Sequence, residues 1–223
     1  MTQTKRAKEL LSRPERRGGP GSGWVAGGGV PLSAVIVLFI VSGAAGLIYE
    51  VIWLRSLTLV FGKTVHAASA VLAAFMAGLA LGSAGGGRLV DRSGRDPLRL
   101  YALLEAGIGI WALSLPLVQK GVAALYVALS GPFEHLTATL SAVRFVMAAL
   151  ALLPATALMG ATLPALSRWA VRHEGQVGSR LGLLYALNTL GGVAGCLLAG
   201  FFLLEWLGLT GATLAAAAGN FLV

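Results

Sequence analysis

The chain has 223 residues, of which 57% are hydrophobic and only 12% charged, and its mean hydropathy is +0.81. Water-soluble globular domains carry about 25% charged residues, so this composition excludes one and points to a membrane protein. The net charge of +8 does not indicate nucleic-acid binding: six of the 17 basic residues fall in the first 17 positions, most of the others lie between apolar runs, and none form patches interleaved with aromatics. The single cysteine, Cys196, lies in an apolar run and excludes an intrachain disulfide.

Residues 1–30 are basic and then glycine-rich (Gly18-Gly19-Pro20-Gly21, Gly27-Gly28-Gly29), which predicts a disordered cytoplasmic tail. The apolar run that follows exceeds the ~7–15-residue core of a signal peptide, and no polar mature segment comes after it. Residues 31–223 are expected to form an all-α, polytopic membrane bundle of six transmembrane helices. The first runs over about Pro31–Trp53, the second over Ala67–Val90 and the third over Leu100–Val118. Gly121–Ser130 is apolar but short and reads as an interfacial helix or loop. The fourth covers about Leu140–Ala165, with Pro154 and Pro164 as expected kinks, and the fifth Leu181–Leu204. The sixth, Leu207–Val223, spans ~25 Å at ~1.5 Å per residue, just short of a ~30 Å hydrocarbon core. Its end on Asn-Phe-Leu-Val without a polar flank leads us to expect a longer parent protein.

Lysine and arginine counts set the orientation. The tail, the loop after the second span and the loop after the fourth carry 13 basic residues, and the opposite side carries four. The rich side is expected to be cytoplasmic, which places the N-terminus on the cytoplasmic side of the membrane. Trp24, Trp53, Trp169 and Trp206 fall at the expected boundaries and read as interface anchors, whereas Trp111 reads as packing. Gly78, Gly82 and Gly86 in the second run and Gly191, Gly195 and Ala199 in the fifth recur every four residues, the spacing that lets helices touch closely in lipid. The two runs hold matching places in a three-plus-three arrangement, as in an inverted repeat.

The loop after the second run reads Gly87-x-x-x-Asp91-Arg92-x-Gly94-Arg95 and resembles the loop between the second and third helices of major facilitator superfamily transporters. Gly87 would let a neighbouring helix approach, Asp91 would accept hydrogen bonds from a helix N-terminus or an arginine, and Arg92 and Arg95 suit the cytoplasmic face. Asp96 stands where that pattern commonly has a second basic residue.

Ionisable groups inside a span are costly and face the bundle interior. Glu50 shares a helical face with Ser42 and Gly46, at a depth similar to Arg144. It pairs either with Arg144, as a clamp or part of an amine site, or with nearby Arg55 at the interface. Glu105, Asn188 and Tyr185 lie at comparable depths near the inner side. Either they converge on a cavity that attracts an amine or relays a proton, or they hydrogen-bond helix to helix. His66, His135 and His173 are too scattered for a metal site, and no arrangement of catalytic residues or phosphate-binding loop is present.

Three further stretches carry a wider resemblance. They are Ser42-Gly43-Ala44-Ala45-Gly46-Leu47-Ile48-Tyr49-Glu50-Val51-Ile52-Trp53-Leu54-Arg55, Leu152-Leu153-Pro154 running to Met159-Gly160-Ala161-Thr162-Leu163-Pro164, and Leu183-Leu184-Tyr185-Ala186-Leu187-Asn188-Thr189-Leu190-Gly191. With the Gly87–Arg95 loop they resemble the N-terminal membrane part of the bacterial membrane-fused spermidine synthase family, from about residue 30 onward. The resemblance implies half of a major-facilitator-like transporter that anchors or couples a cytoplasmic aminopropyltransferase domain. It implies no catalytic residue and no cofactor in this chain, because that chemistry belongs to a soluble domain. The partners implied are the lipid bilayer and such a soluble domain. The alternative is a homodimeric carrier for polyamines or other small cations, joined through the small-residue faces of the second and fifth spans.

Overall fold

The first long helix, α1 (Leu32–Phe61), is the axis of the bundle. Val35, Phe39, Ser42, Ala45, Tyr49, Ile52, Trp53, Leu57 and Phe61 repeat at helical spacing and are all buried. Tyr49 stacks on Trp53 at 5.0 Å, and Trp53 leans on Phe75. The computed structural model describes residues 31–130, 137–170 and 177–223. The tail with Trp24, together with His135, Arg172, His173 and the side chain of Arg180, lies outside the described residues.

A short turn through Gly62, at φ 93°, leads to α2 (Val65–Ser93), whose first turn is capped by Thr64 accepting from the Ala67 amide at 3.1 Å. Gly94, at φ 58°, ends α2 in the left-handed conformation that glycine tolerates. Asp96 then caps α3 (Pro97–Ser130) by accepting from the Leu98 amide at 3.0 Å. The next helices are α4 (Thr137–Ala170) and α5 (Val177–Leu198). A π-helical turn, Ala199–Leu203, joins α5 to α6 (Leu204–Leu222).

Among the described residues five helices are long and apolar enough to cross a membrane: Ser33–Phe61, Val65–Ser93, Pro97–Leu129, Ala138–Trp169 and the 42-residue stretch Leu181–Leu222. Their outer faces carry Leu81, Ile110, Leu117, Leu150, Val193 and Phe201, all exposed, as a lipid-facing surface requires. The last stretch does not run straight. Gly208, at φ 64° and ψ −172°, breaks it. Gly195 abuts Ala44 of α1, and Gly219 lies against Val41 and Ala45 of that same turn. A straight helix would separate residues 195 and 219 by about 36 Å at ~1.5 Å per residue. The chain therefore doubles back at Gly208, and α6 returns to pack on α3 and α1.

Several boundaries differ from the sequence reading. The region Gly121–Ser130 is not a separate interfacial helix but the end of α3. Its buried positions Tyr101, Glu105, Ile108, Ala112, Leu115, Val122 and Tyr126 form one continuous stripe. α1 likewise runs on to Phe61 because that residue seats edge-on against Tyr126, 5.0 Å between ring centres. Trp53 and Trp169 are core residues, not interface anchors, at 1% and 6% exposure. Trp206 is exposed, and Trp111 packs as expected, donating to the Ala151 carbonyl at 3.0 Å.

The small-residue stripes meet partners within the chain. A β-carbon on Gly82 would lie 2.0 Å from the Ala157 carbonyl oxygen, and Gly78 and Gly86 are as tightly set against Thr156 and Ala161. Gly160 faces the Leu79 carbonyl in return, so α2 and α4 touch backbone to backbone. Gly191 and Gly195 do the same against Ile40 and Ala44 of α1. The two faces assigned above to a homodimer are thus already filled. Gly82→Ala is expected to destabilise by about 1–3 kcal/mol through overpacking. Gly85→Ala, with nothing within 4 Å of the new methyl, is expected to be neutral or to stabilise by up to ~1 kcal/mol. Unfolding by denaturing detergent in mixed micelles, followed by circular dichroism, measures both.

Candidate functional site

Glu105 on α3 is completely buried. Ser42 Oγ on α1 donates to its Oε1 at 2.5 Å, and Asn220 Nδ2 on α6 donates to its Oε2 at 2.5 Å. The Tyr49 hydroxyl donates to Asn220 Oδ1 at 2.9 Å. A carboxylate only accepts, so the carboxamide must present its NH₂ to Glu105 and its oxygen to Tyr49. Tyr101, one helical turn before Glu105, stands beside the Ser42–Glu105 pair. Its buried hydroxyl makes no hydrogen bond among the described residues. Three helices distant in sequence are thereby tied through one acid.

Beside this cluster lies a cavity of about 100 Å³, reached by all six helices. Ser42, Thr162, Asn188 and Asn220 are its polar lining residues, and Gly43, Gly46, Leu47, Phe75, Leu79, Ile108 and Met159 complete the wall. Gly43 is required here: a β-carbon would meet the Asn188 carbonyl oxygen at 2.2 Å and its Oδ1 at 2.8 Å. Glu105 sits one hydrogen bond behind the wall.

The structure brings together some of the residues singled out from sequence and separates others. Glu105 and Asn188 belong to one region, Glu105 in the buried cluster and Asn188 on the cavity wall. Tyr185 does not join them. It is 63% exposed and lines a separate groove of about 470 Å³ with Ser83, Leu163, Pro164, Ser167, Leu181 and Gly182. Glu50 is half-buried and forms neither expected pair, because Arg144 Nε donates to the Tyr126 hydroxyl at 3.1 Å and the one ion pair among the described residues lies elsewhere.

That ion pair joins Arg168 of α4 to Asp91 at 3.4 Å, and Arg168 also donates to the Val90 carbonyl. Asp91 therefore does accept from an arginine, while Arg92, Gly94 and Arg95 are exposed. The close approach expected at Gly87 occurs one residue earlier, at Gly86; nothing lies within 4 Å of a β-carbon on Gly87. Asp96, out of pattern in sequence, serves as the α3 cap. Among the described residues no three His, Cys, Asp or Glu side chains group as metal ligands.

Sequence reasoning missed Ser42 and Asn220 as donors to Glu105, and Tyr49 and Tyr101 as buried phenols around it. Asn220 was the readable signal, a lone carboxamide in an otherwise apolar final run. In comparisons with protein-family models, with curated proteins and with solved structures, nothing matches this chain.

Removing Asn220 takes one donor from Glu105 and the acceptor from Tyr49. Asn220→Ala is expected to cost about 1–3 kcal/mol for each group left unpaired. Arg168→Ala removes an exposed contact and is expected to cost about 1 kcal/mol or less. Detergent-unfolding midpoints of the two variants give the comparison.

Proposed function

We propose that this chain is the membrane domain of a spermidine-synthase-like protein, a half-transporter-type bundle that holds a cytoplasmic aminopropyltransferase domain at the bacterial inner membrane and performs no catalysis itself. One observation carries the reading. The three stretches that resemble that family meet at one place: Ser42, Gly43, Gly46 and Leu47 from the first, Met159 and Thr162 from the second, and Asn188 from the third all line the central cavity. The loop that resembles the transporters joins the same frame through Asp91 and Arg168. In this reading α6 is a sixth membrane pass, and the basic loops and the N-terminus face the cytoplasm.

The packing favours an anchor over a carrier. The central cavity of about 100 Å³ holds the volume of about three waters, far less than a polyamine. The carrier reading is favoured by the larger groove at Tyr185, whose ring face would suit an amine. That groove, however, is lined by no described carboxylate.

Proteoliposomes containing the purified chain decide between them. Labelled spermidine and putrescine are expected to show no protein-dependent flux, and decarboxylated S-adenosylmethionine with putrescine is expected to yield no spermidine. Flux abolished by Glu50→Gln or Glu105→Gln would replace the anchor by the carrier, and spermidine formation would overturn both. A reading frame that continues past Val223 into an aminopropyltransferase domain is the expected genomic context.

A further inference from the structure

Glu105 poses a charge problem inside the bundle. An ionised carboxylate in hydrocarbon requires either a positive partner or a proton. No Lys, Arg or His among the described residues supplies the first: Arg144 and Arg168 of α4 bind Tyr126 and the Val90–Asp91 turn, and α6 brings only the neutral Asn220. The titratable groups that face Glu105 are Tyr49 of α1 and Tyr101 of its own helix, both neutral phenols that add no positive charge.

The surroundings accommodate both states of the acid. When Glu105 is ionised, Ser42 and Asn220 donate to its two oxygens, as the structure shows. When it is protonated, its O–H needs an acceptor, and the unpartnered, buried Tyr101 hydroxyl beside it supplies one. The cavity on the far side of Ser42 and Asn220 is bordered by four residues that carry hydroxyl or carboxamide groups, Ser42, Thr162, Asn188 and Asn220. Hard oxygen donors select hard cations. One carboxylate balances one positive charge, which disfavours Mg²⁺ and Ca²⁺ and the multiply charged polyamines.

We propose that this cavity binds one sodium-sized monovalent cation, exchanged against the proton of Glu105. The exchange balances: as the cation enters, the Glu105 O–H bond breaks, the electron pair stays on the carboxylate, and the proton leaves to solvent, so the buried charge does not change. Ser42 and Asn220 couple the two because each touches the carboxylate and also lines the cavity. The site does not depend on whether a transferase domain is attached or a polyamine is carried.

Thermal unfolding of the purified chain in micelles tests this, with NaCl compared with choline chloride at fixed ionic strength and the intrinsic fluorescence of its five tryptophans as the signal. The expected result is a saturable, sodium-specific rise in Tm that Glu105→Gln abolishes. Thr162→Val, which removes a cavity oxygen without touching Glu105, is expected to raise the half-saturating sodium at least tenfold, and it keeps the test available if the Gln variant does not fold. Under acid conditions the half-saturating sodium is expected to rise by about tenfold per pH unit, as one-proton exchange requires. Equal Tm in sodium and choline, an unchanged sodium response in Glu105→Gln, a pH-independent midpoint, or stabilisation by spermidine in place of sodium would each overturn the proposal.

Discussion

A carboxylate in the middle of a bundle facing hydrocarbon has to be solvated by the protein itself, and that requirement organises this fold. Glu105 receives hydrogen bonds from Ser42 of α1 and Asn220 of α6. Those bonds fix the rotation of α1 about its axis, the depth of α3 and the return of α6. Once α1 is fixed, Phe39 and Phe61 are aimed at α3, Trp53 at α2 and Tyr49 at α6, and its Ile40–Ala44 face is left for α5. The apolar core is thus keyed by a polar one.

Close backbone contact is the second constraint. In lipid, apolar side chains gain little by leaving the solvent, so helices associate where their backbones can come near and van der Waals contact is greatest. Gly78, Gly82, Gly86 and Gly160 make such a seam between α2 and α4, and Gly191 and Gly195 make another against α1. The seams hold the walls of the central cavity at a fixed spacing, which keeps it at about 100 Å³. The Arg168–Asp91 contact closes the end of the first seam where the chain leaves the apolar region.

The all-helical class and most of the apolar runs were legible in sequence because hydrocarbon imposes long uncharged stretches. The close-packing role of the Gly78–Gly86 and Gly191–Gly195 stripes was legible too, but their partners were not: spacing every four residues shows that a face is smooth, and the facing helix is set only in three dimensions. The α3 boundary was misread because Lys120 and Gly121 look like an end in hydropathy. The core stripe from Tyr101 to Tyr126 continues through them, with Gln119 on it donating to Ser56 at 2.5 Å. Glu105 stood out as an acid in an apolar run. Of its donors, Asn220 was marked as a lone carboxamide in an apolar run, but Ser42 was not, because a serine is unremarkable until a fold places it. Arg144 could not be assigned by depth alone, since a tyrosine on the neighbouring helix satisfied it before any carboxylate.

The turn at Gly208 also orders biosynthesis. The polar cluster draws on positions 63, 115 and 171 residues apart, and its last member lies beyond that turn. While the ribosome is still adding α5, Glu105 can hold Ser42 but lacks its second donor. The acid is fully enclosed only when α6 folds back, so its enclosure comes after α1 to α5 have been made.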